Sequence, residues 1–272
     1  MRKILKICLY SVVLVLFACN NDDDNQQPAG LIATYQVALT TANSIPVVNG
    51  RMETGSAVLK LFADRKLTFE ITVNNLIPTD ALTMAHVHLG DAVSTGDVLI
   101  TLVDGQDIAF SQGMASGSMV LTEAQAMALQ GQNLYINVHS TDTPPGLVRG
   151  QIGQEITDAY NVVLLPENEI PAIEGRNETG LAYIRLVGDM MYYRITIENL
   201  LETDMITAGH IHDGTAQQTG TPIFLNLDIA PLGTTKMLHL TGQELNKVQT
   251  EPLYVNIHSD DHGLGLMRGQ IR

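Results

Sequence analysis

The sequence predicts an all-β protein made of two tandem antiparallel β-sandwich domains, Ig-like or barrel-like, each with one short helix. Three observations predict this class. Several distinctive strings occur twice at a nearly constant offset, apolar residues alternate with polar ones inside each copy, and Gly, Pro, Asn and Asp separate the alternating runs. At 272 residues the chain has room for two domains that each bury a core.

Four strings define the duplication. The first copy contains Gly50-Arg51-Met52-Glu53-Thr54-Gly55, His86-Val87-His88, Tyr135-Ile136-Asn137-Val138-His139 and Arg149-Gly150-Gln151. The second copy repeats them as Gly175-Arg176-Asn177-Glu178-Thr179-Gly180, His210-Ile211-His212, Tyr254-Val255-Asn256-Ile257-His258 and Arg268-Gly269-Gln270. We therefore predict a first domain over residues 31–153 and a second domain over residues 158–272.

The strands follow from a period of two. In the run 66–73 every second residue is apolar and its neighbours are polar, which indicates a half-buried antiparallel strand. Further strands are expected over 56–62, 97–102, 115–121, 181–187 and 190–197.

One short helix is expected in each copy. Thr122-Glu123-Ala124-Gln125 and Thr241-Gly242-Gln243-Glu244 both fit the capping box, in which the threonine oxygen and the side chain three residues later satisfy amide groups at the helix start. Good helix formers follow the first of these. A loop is the alternative at both places.

The first 18 residues have the features of a bacterial lipoprotein signal peptide. Arg2, Lys3 and Lys6 form a basic start, and a mostly apolar run over 7–17 is too short for a comfortable membrane span. Leu16-Phe17-Ala18-Cys19 resembles a lipobox, so we predict removal of residues 1–18 and lipidation of Cys19. An ordinary secretory signal with an incidental cysteine is the alternative.

Residues 19–30 are predicted to form an acidic disordered tether, because almost nothing in them can be buried. Acidic residues directly after a lipidated cysteine also resemble the export signals of surface lipoproteins. We therefore expect an outer-membrane lipoprotein of the cell envelope, exposed at the surface, with the membrane as a partner through its lipid.

Charge and cysteine content exclude several classes of function. The formal net charge is −14, which disfavours nucleic acid as a partner because a phosphate backbone is repelled. The two cysteines, Cys8 and Cys19, both precede the predicted domains. A disulfide framework and a cysteine zinc site are therefore excluded for those domains.

The histidines suggest a metal site. His86 and His88 project from the same face of a strand, and His139 meets them if its own strand is a neighbour in the sheet. Three imidazoles suit copper or zinc. The second copy repeats the set as His210, His212 and His258.

The His-x-His string also resembles the copper ligands of copper/zinc superoxide dismutases. That resemblance ends there, since no matching bridging histidine, zinc-ligand aspartate or disulfide cysteines are found. Asp91 and Asp213 stand beside the histidine pairs and would extend a metal shell, but aspartate is common in such glycine-containing turns anyway.

The competing hypothesis is structural, and on the sequence alone we favour it. Buried polar groups must be paired, so the histidines would belong to a hydrogen-bonded network that fixes the strands. Its other members would be Tyr135, Asn137, Arg149, Tyr254, Asn256 and Arg268. His239 and His262 occur in the second copy only and are interpreted as surface residues.

Together the strings His-x-His-x-Gly, Leu-Tyr-x-Asn-x-His-Ser and Arg-Gly-Gln-Ile resemble the CHRD domain, named for its repeats in chordin. The resemblance covers both copies. It implies β-sandwich modules of an extracellular protein and supplies no established catalytic residues. It does not imply growth-factor binding, because the cysteine-rich modules that carry much of that role in chordin have no counterpart in this sequence.

The first functional hypothesis is a non-enzymatic binding or structural protein on a lipid anchor, with an unknown protein or glycan ligand and no cofactor. The alternative is a histidine-ligated copper or zinc protein that could be redox-active. A hydrolase is disfavoured, because the sequence has no Gly-x-Ser-x-Gly elbow, phosphate-binding glycine loop or His-Glu-x-x-His helix.

Overall fold

The computed structural model describes residues 30–220 and 223–272. The predicted signal peptide, Cys19 and nearly all of the predicted tether lie outside these residues. Among the residues that it covers, no helix is long and apolar enough to cross a lipid bilayer.

The first copy has eight strands and one α-helix. In chain order these are β1 Leu31–Thr40, β2 Thr54–Phe62, β3 Lys66–Asn74, β4 Leu82–Leu89, β5 Val98–Val103, β6 Met114–Val120, α1 Glu123–Gly131, β7 Leu134–Ser140 and β8 Val148–Gln151. All pairings are antiparallel, and the strands form one sheet in the order β5-β4-β7-β8-β1-β2-β3-β6. The two halves of this sheet join at Thr40 and Arg149, and the eight-stranded sheet is nearly closed and barrel-like.

The second copy repeats this order. Its elements are β9 Asp158–Leu164, β10 Thr179–Val187, β11 Met190–Glu198, β12 Ile206–Asp213, β13 Ile223–Leu227, β14 Lys236–His239, α2 Gly242–Thr250, β15 Leu253–Ser259 and β16 Met267–Gln270. They form two four-stranded antiparallel sheets, β14-β11-β10-β9 and β13-β12-β15-β16. An isolated β-bridge pairs Leu165 with Arg268. It corresponds to the Thr40–Arg149 pair that joins the two halves of the first copy.

The predicted fold class is thus confirmed, and the period of two explains why. On β3 the apolar residues Leu67, Phe69 and Ile71 are at most 2% exposed and belong to the core. The opposite half of the sheet contributes Ile136 and Val148 to the same cluster. Burial of one face of each half against the other is what holds a sandwich together.

Both capping boxes are formed. The amide of Gln125 donates to the Thr122 hydroxyl, and the amide of Thr122 donates to the Gln125 side-chain oxygen. Thr241 and Glu244 make the same pair of bonds at the start of α2. The two predicted helices are therefore confirmed.

The two copies are packed against each other. A separate apolar cluster joins Ala92 and Val93 of the first copy to Tyr183 and Tyr192 of the second. The Thr235 hydroxyl also bonds the Asp91 carboxylate across this boundary, at 3.2 Å. The two copies therefore share a buried apolar contact.

Candidate metal centres

The sheet order brings the histidines together. Strands β4 and β7 are neighbours, with His86 opposite Asn137 and His88 opposite Tyr135. Side chains two apart on a strand share a face, so His139 lies on the same face as His86 and His88. The strand of His139 is therefore a neighbour of the strand of His86 and His88, as their predicted meeting required.

Three ring nitrogens converge in the first copy. His86 Nδ1 lies 3.0 Å from His139 Nε2, and one nitrogen from each of His86, His88 and His139 lies within 4.8 Å of the others. We call this set the first histidine centre. Ligands 2.0–2.1 Å from one ion lie about 3.3 Å apart, so the three nitrogens are close enough for the set to be a candidate metal site.

The other ring nitrogens fix the tautomers. His88 Nδ1 lies 3.0 Å from the Gly96 carbonyl, and His139 Nδ1 lies 2.7 Å from the Pro144 carbonyl. Because a carbonyl only accepts, both Nδ1 atoms carry the proton and both Nε2 atoms present a lone pair to the centre. His88 Nε2 is buried without a hydrogen-bond partner among the residues described, as expected of a free ligand atom.

His86 plays a different part. Since His139 Nε2 presents a lone pair, His86 Nδ1 donates the proton of their hydrogen bond. Coordination through His86 Nδ1 would require that proton to leave or to move to Nε2 of the same ring.

The second copy reproduces the arrangement. His210 Nδ1 lies 3.0 Å from His258 Nε2, His212 Nδ1 is 3.1 Å from the Gly220 carbonyl, and His258 Nδ1 is 3.1 Å from the Gly263 carbonyl. His212 Nε2 is buried and, within the described part of the chain, unpartnered. This is the second histidine centre.

Burial favours the neutral form of several of these rings. It lowers the pKa of His86 to about 4, with smaller contributions from the neighbouring His139 and His88. Burial also lowers the pKa of His88, His139, His210 and His212. Neutral imidazole is the form that binds a metal ion, so these lowered pKa values favour coordination at neutral pH.

The comparison with known families matches both copies. The family model of the CHRD domain matches residues 35–152 and again residues 160–271. The chain belongs to the CHRD domain family. No curated protein and no solved structure matches it. The two copies are therefore CHRD domain 1 and CHRD domain 2.

In CHRD domain 1 the predicted network residues surround the first histidine centre. The ring of Tyr135 stacks on His88, and the Arg149 guanidinium lies 3.5 Å from the centroid of the Tyr135 ring. Arg149 Nη2 donates to the carbonyls of Asp91 and Ser94, and Gln151 Nε2 donates to that of Gly90. Arg149 is 1% exposed, and burial lowers its pKa to about 10.

These contacts hold the loop 90–96, which offers the Gly96 carbonyl to His88. The amide of Gly96 donates to the Tyr135 hydroxyl at 3.4 Å. In the β7–β8 loop, Asn137 Nδ2 donates to the Pro145 carbonyl beside the acceptor of His139. The network and the converging nitrogens are therefore parts of one assembly.

CHRD domain 2 has the same supports. The Arg268 guanidinium lies 3.4 Å from the centroid of Tyr254, which stacks on His212. Arg268 Nη2 donates to the Thr215 carbonyl, and Gln270 Nε2 donates to that of Gly214. Asn256 Oδ1 is buried and has no partner among the described residues.

Every residue of β7 is buried, because Arg149 and the loop 90–96 cover the face that carries Tyr135, Asn137 and His139. The two aspartates beside the histidine pairs lie outside the centres. Neither Asp91 nor Asp213 belongs to a histidine centre. Asp91 Oδ1 accepts from the Val93 amide, and Asp213 pairs with Lys247 at 2.6 Å.

Sequence reasoning missed the backbone acceptors of the histidines. The carbonyls of Gly96 and Pro144 leave no side-chain signature, although the glycine at position 96 marks where the first of these loops passes close to a strand. Gly96 is one of the glycines after the His-x-His string, and a Cβ there would overlap the Leu89 carbonyl. Glycine is thus required where the loop passes close to β4.

Replacing Gly96 by alanine is expected to displace this loop and its carbonyl from His88. We expect metal affinity at the first histidine centre to fall roughly 10- to 100-fold, the range for loss of an outer-shell partner. Competition titration with a chelator measures this. Gly131→Ala is the matched control, because a Cβ at Gly131 meets no atom within 4 Å. Equal affinities for the two variants would contradict the role of the loop.

Proposed function

We propose that this protein is an envelope-anchored lipoprotein whose two CHRD domains each bind one copper or zinc ion non-enzymatically through three histidines. The observation that carries the proposal is the convergence of three ring nitrogens in each domain. In each set, two rings are held by backbone carbonyls with the opposite nitrogen facing the others.

The outer-shell contacts favour coordination over a purely structural role. A metal-ligating histidine typically donates its second ring N–H to a carbonyl or carboxylate, which fixes both tautomer and orientation. A network that served only to join strands would pair both nitrogens of each ring with protein groups. His88 Nε2 and His212 Nε2 instead have no partner within the described residues.

Three nitrogen ligands favour copper or zinc over calcium or magnesium, which prefer oxygen. The three histidines would hold the ion, and it would supply an electrophilic centre with one coordination position left for water or another ligand. The surrounding residues orient the rings and keep them neutral.

Metal analysis of the protein tests the proposal. Chelator-treated protein is dialysed against zinc or copper and its metal content is measured by elemental analysis. We expect two ions per chain and a higher unfolding temperature in the presence of metal, because an ion that binds the folded state stabilises it. Absence of bound metal together with an unchanged unfolding temperature would contradict it.

Metal binding is expected to persist below the pH at which ordinary histidine is protonated. The pKa of His86 is about 4, so protons compete with the ion at this ring only in more acidic solution. Because the pKa values of His88 and His139 are lowered as well, zinc affinity at the first histidine centre should begin to fall only below the pH at which ordinary histidine is protonated. A tenfold loss per pH unit starting near 6.5 would contradict the lowered pKa.

The lowered pKa of His86 also makes the stability of the metal-free protein depend on pH. The folded state binds fewer protons than the unfolded state, in which His86 titrates near its ordinary pKa of about 6.5. Its contribution to stability is therefore complete above about 6.5 and is lost as the pH falls toward the folded-state pKa.

The anchor rests on the lipobox-like string that ends at Cys19. Cys19→Ser is expected to abolish labelling by a fatty-acid analogue and to move the protein from the membrane fraction to the soluble fraction. Retention of the label in this variant would contradict lipidation at Cys19. Binding of a protein or glycan ligand stays a prediction.

A further inference from the structure

The repeated string Gly-Arg-x-Glu-Thr-Gly has no place in the histidine centres, yet both copies retain it. In CHRD domain 1, Arg51 pairs with Glu53 and with Asp80, each at 2.7 Å. The side chains of Glu53 and Asp80 are at most 1% exposed. An ion-pair network buried to this degree is costly to assemble and fixes geometry.

The other oxygen of Asp80 holds the loop between β7 and β8. Asp80 Oδ1 accepts from the Thr141 hydroxyl at 2.7 Å and from the Asp142 amide at 3.0 Å. Burial raises the pKa of Asp80, but the hydrogen bonds from Asp142, Arg51 and Thr141 outweigh it and hold the pKa below its usual range. The carboxylate is therefore charged and accepts all of these bonds at neutral pH.

That loop supplies the acceptor of a histidine of the centre. Pro144, whose carbonyl accepts from His139 Nδ1, lies two residues after Asp142. The loop is closed by the bond between the Ser140 and Thr143 hydroxyls, at 2.6 Å. A continuous chain of bonds thus runs from Arg51 through Asp80 and the loop to His139.

CHRD domain 2 repeats the main links, with the Ser259 hydroxyl in place of Thr141 as the hydroxyl donor to the aspartate. Arg176 pairs with Glu178 and Asp204, Asp204 Oδ1 accepts from the Asp261 amide, and the Gly263 carbonyl accepts from His258 Nδ1. The hydrogen bonds from Arg176, Asp261 and Ser259 outweigh the effect of burial and hold the pKa of Asp204 at about 2. The recurrence links the arginine string to the histidine string in both domains.

We infer that Asp80 and Asp204 are positioning residues, which hold His139 and His258 in the orientation needed for metal coordination through the loop that follows each histidine. The inference rests on the proposed function where it concerns metal affinity. It predicts a local effect, confined to the domain that carries the substitution.

The test uses the full chain with H210A and H258A, which leaves the first histidine centre as the only complete one. In this background D80N is expected to raise the Kd for zinc about 10- to 100-fold, measured by chelator competition. D204N is the matched control, because it breaks the equivalent network in CHRD domain 2. It should change the Kd less than about twofold. An unchanged Kd in D80N, or an equal rise in D204N, would overturn the inference.

A milder variant covers the case in which D80N fails to fold. T141V removes one bond to Asp80 and keeps the ion pair with Arg51, and Thr141 is exposed. We expect a several-fold rise in the zinc Kd with the fold retained. No rise would overturn the inference.

A metal-free measurement separates this inference from the proposed function. The Nδ1–H of His139 gives a nitrogen-15 NMR signal while it is hydrogen-bonded to Pro144. This signal should shift or broaden in D80N, or in T141V if D80N does not fold, and not in D204N. If the parent chain binds no zinc, the proposed function fails, and an unaltered His139 signal in the Asp80 or Thr141 variant would still overturn the positioning role.

Discussion

Replacing His139 by alanine is expected to lower the metal content of the protein from two ions per chain to one. The variant removes one of three converging nitrogens and the hydrogen-bond partner of His86. The loss of affinity at the first histidine centre should exceed the roughly 10- to 100-fold that removal of an outer-shell partner causes. Equilibrium dialysis followed by elemental analysis measures the content.

His239→Ala is the matched control. His239 is exposed, lies 3.1 Å from the carboxylate of Asp189, and belongs to neither histidine centre. This variant should retain two ions per chain. If both variants bound the same amount of metal, coordination by the centre would be refuted.

Replacing Arg51 by methionine is expected to destabilise CHRD domain 1 by about 3–5 kcal/mol, as found when one partner of a buried ion pair is removed. Glu53 and Asp80 would be left buried without their cation. Urea unfolding, followed through the transition of this domain, measures the change.

The control for this effect is Lys60→Met, since Lys60 is exposed on β2. Its effect should stay within about 0.5 kcal/mol, the usual range for surface substitutions. A loss below 1 kcal/mol in Arg51→Met would show that the network contributes little to stability.

Much of the fold could be predicted because its signals are local. The alternation of apolar and polar residues around Phe69 predicts a strand without knowledge of the strands beside it. Thr122 and Gln125 mark a helix start through hydrogen bonds within one turn. The meeting of His139 with His86 required only that their strands be neighbours. The pairing of Thr40 with Arg149, which joins the two halves of the first sheet, was beyond reach, because it is one long-range pairing.

From the residues alone, a hydrogen-bonded network and a metal site are competing hypotheses. In the structure they are compatible, because the two nitrogens of one ring act separately. His88 donates from Nδ1 to Gly96 while Nε2 remains free for a ligand. No residue pattern predicts which backbone carbonyl accepts the hydrogen bond from a histidine Nδ1.

The role of Asp80 was missed because only four repeated strings were compared. Asp80 ends the segment Asn75-Leu76-Ile77-Pro78-Thr79-Asp80, which recurs as Asn199-Leu200-Leu201-Glu202-Thr203-Asp204 at the same offset as the histidine pair. A comparison of the two copies position by position, beyond the four strings, would have found it.

Metal coordination by the histidines is tested most directly by a crystal structure of the protein grown with copper or zinc, with data collected on both sides of the metal absorption edge. We expect two anomalous peaks per chain. One should lie within about 2.0–2.1 Å of nitrogens from His86, His88 and His139, and the other at the same distance from those of His210, His212 and His258. Metal-loaded crystals without a peak at either centre, and with the His86–His139 hydrogen bond intact, would contradict it.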